Sequence, residues 1–146
     1  MTICIKMLYC YAYILIFDES SMTQPTVFSI IESPIHPDFS NLYQSLNIQE
    51  VRLSSMRKAI AQLKKQQPDF VVAEFFYGYG NNYAGVNLSN LDVFLCSLQK
   101  YAPDAKVIVL VEKAERKYVD KLAELFSLHS ILQYPVSPKM MSESLA

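Results

Sequence analysis

The sequence predicts an α/β protein: a doubly wound, five-stranded parallel sheet with helices on both faces and a truncated last helix. Three observations carry that reading. Short apolar runs alternate with segments whose apolar residues recur at i, i+3, i+4 and i+7, the period of a helix with one buried face. F-V-V-A at 70–73 and K-V-I-V-L-V at 106–111 are apolar without alternation, as strands covered on both faces must be. Every connection between these segments is short except one. A sheet of this size commonly takes the strand order 2-1-3-4-5, and 146 residues suffice for one well-buried core but not comfortably for two.

In chain order, T-V-F-S-I-I at 26–31 is the first strand, ended by Glu32, Ser33 and Pro34. Asp38 is placed to cap a helix buried through Phe39, Leu42, Tyr43 and Leu46. Residues 50–53 are short and more polar, an edge strand, after which Ser54 or Ser55 caps a helix buried through Met56, Ala59, Ile60 and Leu63. Pro68 stops continuation, the third strand follows, and Glu74 stands at its carboxyl end. The one long connection, 75–87, holds all three glycines of the chain and five aromatics. Asn87 or Ser89 caps the third helix, with Leu91, Phe94, Leu95 and Leu98 inward, and Pro103-Asp104 turns into the fourth strand. A fourth helix buries Val119, Leu122, Ala123 and Phe126, residues 130–134 make the fifth strand, and Ser137-Pro138 opens a last helix with proline at its first position.

Residues 1–24 read as an apolar extension outside the fold, with Met22 as an alternative start, and 25–146 as the domain. The run 3–17 falls short of the roughly 20 residues needed to cross a bilayer. Asp18, Glu19, Ser20 and Ser21 follow it without a small-x-small cleavage site, so neither a span nor export is expected. Lys plus Arg number 13 against 14 Asp plus Glu, which removes the electrostatic footprint of a nucleic-acid or anionic-membrane binder. Cys4, Cys10 and Cys96 have no C-x-x-C spacing, so neither disulfides nor zinc are expected and the cytoplasm is the expected compartment.

In an open parallel sheet, ligands collect beyond the carboxyl ends of the strands, so Glu74 and the aromatic loop mark the functional end. Glu32, Asp38 and Glu74 could gather round a divalent cation, but carboxylates at strand ends are more often solvated or helix-capping. No cofactor is expected, with magnesium beside Glu32 and Glu74 as the alternative. His36 and His129 lie far apart in sequence without a nucleophile at recognisable spacing and read as structural. E-S-P-I-H-P-D has no glycine with which to cradle a flavin phosphate. Tyr77, Tyr79 and Tyr83, interleaved with Gly78, Gly80, Asn81 and Asn82, combine adaptable backbone with large contact groups, the mixture of a partner-binding loop. Phe75 and Phe76 read as a cover over the sheet's end.

The layout, with P-D-F-V-V-A-E before the third helix, K-V-I-V-L-V, and Q-Y-P-V-S-P before the last helix, resembles a response-regulator receiver domain of flavodoxin-like fold over residues 26–146. The resemblance implies an acceptor aspartate ending the third strand and a magnesium-holding acidic pair after the first. It further implies a Ser or Thr after the fourth strand, and a lysine before a cis proline after the fifth. In this chain those positions are Glu74, Ile31 with Glu32, Val111, and Tyr134 before Pro135. Glutamate adds a methylene, about 1.5 Å of chain, and a misplacement of about 1 Å at a reacting centre costs on the order of a hundredfold. A phenol cannot replace the lysine's charge, and valine has no hydroxyl. The expected function is therefore a degenerate, non-catalytic receiver-like domain for signalling or scaffolding, not phosphorylated on aspartate, acting by contact with a protein partner or as a homodimer. The alternatives are a small divalent-metal-dependent phosphotransfer or hydrolase domain using Glu32 and Glu74, and a structural dimerisation module built on the fourth helix and fifth strand.

Overall fold

The lack of polar alternation in the apolar runs decides the architecture. In the computed structural model, which describes residues 23–78 and 88–146, the strands are β1 (Thr26–Ile30), β2 (Gln49–Leu53), β3 (Phe70–Glu74), β4 (Lys106–Val111) and β5 (Ser130–Gln133). The helices are α1 (Ser40–Ser45), α2 (Met56–Leu63), α3 (Asp92–Tyr101), α4 (Arg116–Leu125), entered through a 3-10 turn (Lys113–Glu115), and α5 (Pro138–Ser144). All pairings are parallel and the order is β2-β1-β3-β4-β5, as expected. Successive strand residues face opposite sides. Phe28, Ile30, Val71, Ala73, Val107, Val109 and Val111 therefore pack with α2, α3 and α4. Val27, Val72, Ile108 and Leu110 pack with Tyr43 of α1 and Met141 of α5. Two apolar faces on each central strand are what the unalternating runs required, and the more polar β2 and β5 are the edges.

Several local expectations are corrected. Asp38 does not occupy the cap position of α1, which begins one residue later behind Phe39, although its carboxylate accepts from the Ser40 amide at 2.9 Å. The helix ends at Ser45, because Asn47 adopts φ 57° and the Ile48 amide reaches back to the Tyr43 carbonyl at 2.8 Å, a left-handed helix stop. Leu46 lies beyond that stop and is 42% exposed rather than buried. Ala123 is exposed because the stripe of α4 narrows to Val119 and Leu122. Ser55, not Ser54, caps α2, accepting from the Lys58 amide. The expected cis bond joins Tyr134 and Pro135. Residues 1–22, expected to lie outside the domain, are outside the described residues; among those described, no helix is long and apolar enough to cross a membrane.

Candidate functional site

Strand register assembles the site. Ile30 of β1 pairs with Ala73 of β3, and Glu74 pairs with Leu110 of β4, so Glu74 emerges beside the β1–α1 loop at the carboxyl edge of the sheet. That loop turns back over the strand end. Glu74 Oε2 accepts the amides of Glu32 at 2.9 Å and Ser33 at 3.0 Å, two successive backbone N–H groups converging on one oxygen as in an anion-binding nest. Oε1 accepts the hydroxyls of Ser33 and of Tyr134, the latter at 3.2 Å. A carboxylate presents about four lone-pair positions, and here each has a donor. The Glu74 side chain is 1% exposed.

His36 completes the enclosure. Its Nδ1 lies 3.7 Å from Glu74 Oε2, with both side chains 1% exposed, and makes no hydrogen bond of its own. Asn90, just before α3, ties the neighbouring segments together: its Nδ2 donates to Glu32 Oε1 at 3.0 Å and to the Glu74 carbonyl at 2.8 Å, while its Oδ1 accepts from the Phe76 amide. The sequence reading did not single out Ser33 or Asn90 and took His36 as merely structural. The available signal was positional, since a histidine between two prolines after the first strand cannot move far from that strand's end.

Burial pushes the Glu74 carboxyl up, but the His36 ring, the Ser33 hydroxyl and the Glu32 amide together outweigh it and hold the group below its ordinary value. Glu32 moves the other way, raised by burial and by the charge of Glu74 against the opposing bond from Asn90. The Tyr134 hydroxyl is raised by burial and then by the adjacent Glu74 charge. A carboxyl whose folded value is depressed contributes stability that is present above its unfolded value, near 4.5, and is lost as pH falls below it. A raised carboxyl does the reverse, so in the window just above 4.5 protonation of Glu32 favours the folded state. Urea midpoints measured from pH 7 downward should therefore hold or rise slightly to near 4.5 and then drop, and in Glu74→Gln the drop should be shallower. An unchanged acid limb in that variant would show that Glu74 is not its source.

The other expected site residues fall as follows. Val111 is fully buried in the cluster beneath α2, α3 and α4, while alternation puts Glu74 on the face of Val72. Asp38 does not join Glu32 and Glu74: its side chain is 70% exposed and lies 3.3 Å from Arg52. Tyr77 is 46% exposed and stacks on Tyr118, at 3.6 Å between centroids and 13° between planes. Tyr79 and Tyr83 lie outside the described residues. Gly78 closes the base of the aromatic loop with φ +63°, a left-handed conformation that favours glycine, and its amide bonds the Leu88 carbonyl. Phe75 is buried as a cover over the sheet. The magnesium that a receiver fold implies asks for oxygen ligands with free lone pairs in octahedral array. These residues do not fit it, because Glu74 has donors on both oxygens, Glu32 already accepts from Asn90, and the other acidic position is Ile31.

No protein-family model matches the chain, and no curated protein matches it in sequence. Solved structures match it in fold. A CheY-like response regulator receiver domain from Methanospirillum hungatei JF-1 superposes with TM-score 0.66 at 10% identity, covering 84% of this chain and 91% of its own. The chemotaxis response regulator CheY4 of Vibrio cholerae gives TM-score 0.64 at 13% identity over 84% and 97%, and a response regulator from Thermotoga maritima gives 0.63 at 17% over 84% and 95%. The strand order, the helices on both faces and these superpositions together establish that the chain has the fold of response-regulator receiver domains.

Proposed function

We propose that this is a non-catalytic receiver-like domain that signals or scaffolds through protein contact and is not phosphorylated at the strand-end carboxylate. The observation that carries the reading is the state of Glu74, buried to 1% with hydrogen-bond donors on both oxygens. A nucleophile needs a free lone pair and a path for the incoming phosphorus, and this carboxylate offers neither. Glu74 instead acts as an internal anion, joining β3, the β1–α1 loop and Tyr134 in one arrangement. A single carboxylate carries less charge and fewer acceptor oxygens than a phosphoryl group, so the arrangement it holds is its own. The metal-dependent hydrolase reading would need Glu74 and Glu32 open to a cation and water, which the same bonds oppose. Beside the site, Ile35, Pro37, Tyr134 and Val136 line a groove of about 460 Å³, so the locked loop also shapes accessible surface.

Incubation with magnesium and acetyl phosphate, followed by intact-mass measurement, is expected to show unmodified protein. Beryllofluoride should leave the amide spectrum unmoved. A stoichiometric phosphoryl adduct on Glu74 would refute the proposal.

A further inference from the structure

Outside the Glu74 site, the described surface carries a cluster in which a stacked pair of aromatic rings lies beside two exposed lysines. Tyr77 is held from behind by an antiparallel bridge to Ser89 and by its amide, which donates to Glu115 Oε1 at 3.3 Å. Its ring is stacked on Tyr118 of α4. Lys117 and Lys121, at i and i+4 on that helix, are exposed and place their ammonium groups 5.1 Å and 5.9 Å from the Tyr118 ring centre. The nearby acids are committed elsewhere: Asp120 pairs with Arg116 at 2.8 Å, and Glu115 accepts from Tyr77. Glu124, three residues past Lys121, forms no ion pair with it among the described residues.

We propose that this stack, flanked by Lys117 and Lys121, is the docking surface for an acidic segment of a partner protein, one that carries a flat apolar side chain between carboxylates. The proposal rests on the protein-contact reading above and names its partner's chemistry. The carboxylates would meet the ammonium groups of Lys117 and Lys121, which form no ion pair among the described residues, and the apolar side chain would lie against the exposed part of Tyr77. Because the Tyr77 backbone is tied to Ser89 and Glu115 and its ring is stacked on Tyr118, little ordering cost accompanies contact. The same charges argue against nucleic acid. Its affinity grows with the number of phosphates neutralised, and among the described residues this patch offers two cations without an ion pair, on a chain of net charge −1.

The probe is a dye-labelled Glu-Glu-Phe-Glu-Glu peptide, followed by anisotropy and by amide shifts of the labelled protein. Saturable shifts confined to Tyr77 and residues 117–121 are expected, weakening as salt is raised. The double variant Lys117→Glu/Lys121→Glu should weaken binding about tenfold, and Tyr77→Ser should also weaken it. Lys64→Glu/Lys65→Glu, just past the carboxyl end of α2, should leave it unchanged. All the substituted side chains are exposed, and the dispersion of the amide spectrum reports that each variant is folded. Shifts that are absent or lie elsewhere, equal weakening by both lysine pairs, or tighter binding of a thymidine oligomer at the same residues would each overturn the proposal. None of these outcomes bears on acetyl phosphate and Glu74, so the mass measurement stands or falls separately.

Discussion

Replacing Glu74 by alanine is expected to lower the stability of the domain by about 3 kcal/mol. The reason is the number of groups left behind. Two backbone amides, from Glu32 and Ser33, and two hydroxyls, from Ser33 and Tyr134, lose their acceptor together. A buried donor without a partner costs about 1–3 kcal/mol, but the hydroxyls can rotate and the loop can admit water, so the total stays well below four full penalties. Glu74→Gln should cost only about 1 kcal/mol. Its amide oxygen can still accept the two backbone amides, and its NH2 can donate to hydroxyls that turn round to accept. Glu74→Asp should fall between the two, since a shortfall of about 1.5 Å draws the carboxylate away from donors now at 2.9–3.2 Å. Urea denaturation and melting temperature check the series, the alanine variant melting about 10 °C lower. Equally small costs for alanine and glutamine would mean that the bonds to Glu74 contribute nothing.

The predicted order of that series comes from geometry that the sequence disclosed only in part. F-V-V-A and K-V-I-V-L-V announced doubly covered central strands, and their places in the sheet, with Glu74 at a carboxyl edge, followed from the alternation of strand and helix. Glu74, Tyr134 and Glu32 were visible as residues at strand ends. That Tyr134 donates to Glu74 was not, because a separation of 60 residues is closed only when β1, β3, β4 and β5 stand side by side. His36 illustrates the harder case. Its approach to Glu74 depends on how E-S-P-I-H-P-D turns, and no periodicity governs a loop with two prolines. Asp38 failed as a third carboxylate for a related reason: it lies 3.3 Å from Arg52 of the edge strand β2, with its side chain 70% exposed. Leu46 and Ala123 fit a helical stripe but not the helix ends or the stripe width that the fold allows.

Restoring the chemistry should require restoring its electrostatics, not only its nucleophile. Glu74→Asp alone is expected to form no phosphoryl adduct with acetyl phosphate and magnesium. It shortens the side chain and loosens the bonds from the loop, but leaves Ile31 where a second metal carboxylate is wanted and a phenol where a cation would offset the growing phosphoryl charge. Such charge stabilisation is worth about 3–4 kcal/mol per group in related chemistry, a factor of hundreds in rate. The triple variant Glu74→Asp, Val111→Thr and Tyr134→Lys returns the cation and places a hydroxyl at the end of β4, and is expected to react slowly. Adding Ile31→Asp supplies an oxygen ligand for magnesium and should raise the rate further. Val111→Thr sets a hydroxyl where a fully buried methyl now packs, at about 1–3 kcal/mol, so the variants should be assayed well below their melting temperatures. Intact mass and beryllofluoride-induced amide shifts would follow the series. An adduct on Glu74→Asp alone, at the rate of the quadruple variant, would show that the glutamate was the sole obstacle, and that the replacements at 31, 111 and 134 do not keep this carboxylate silent.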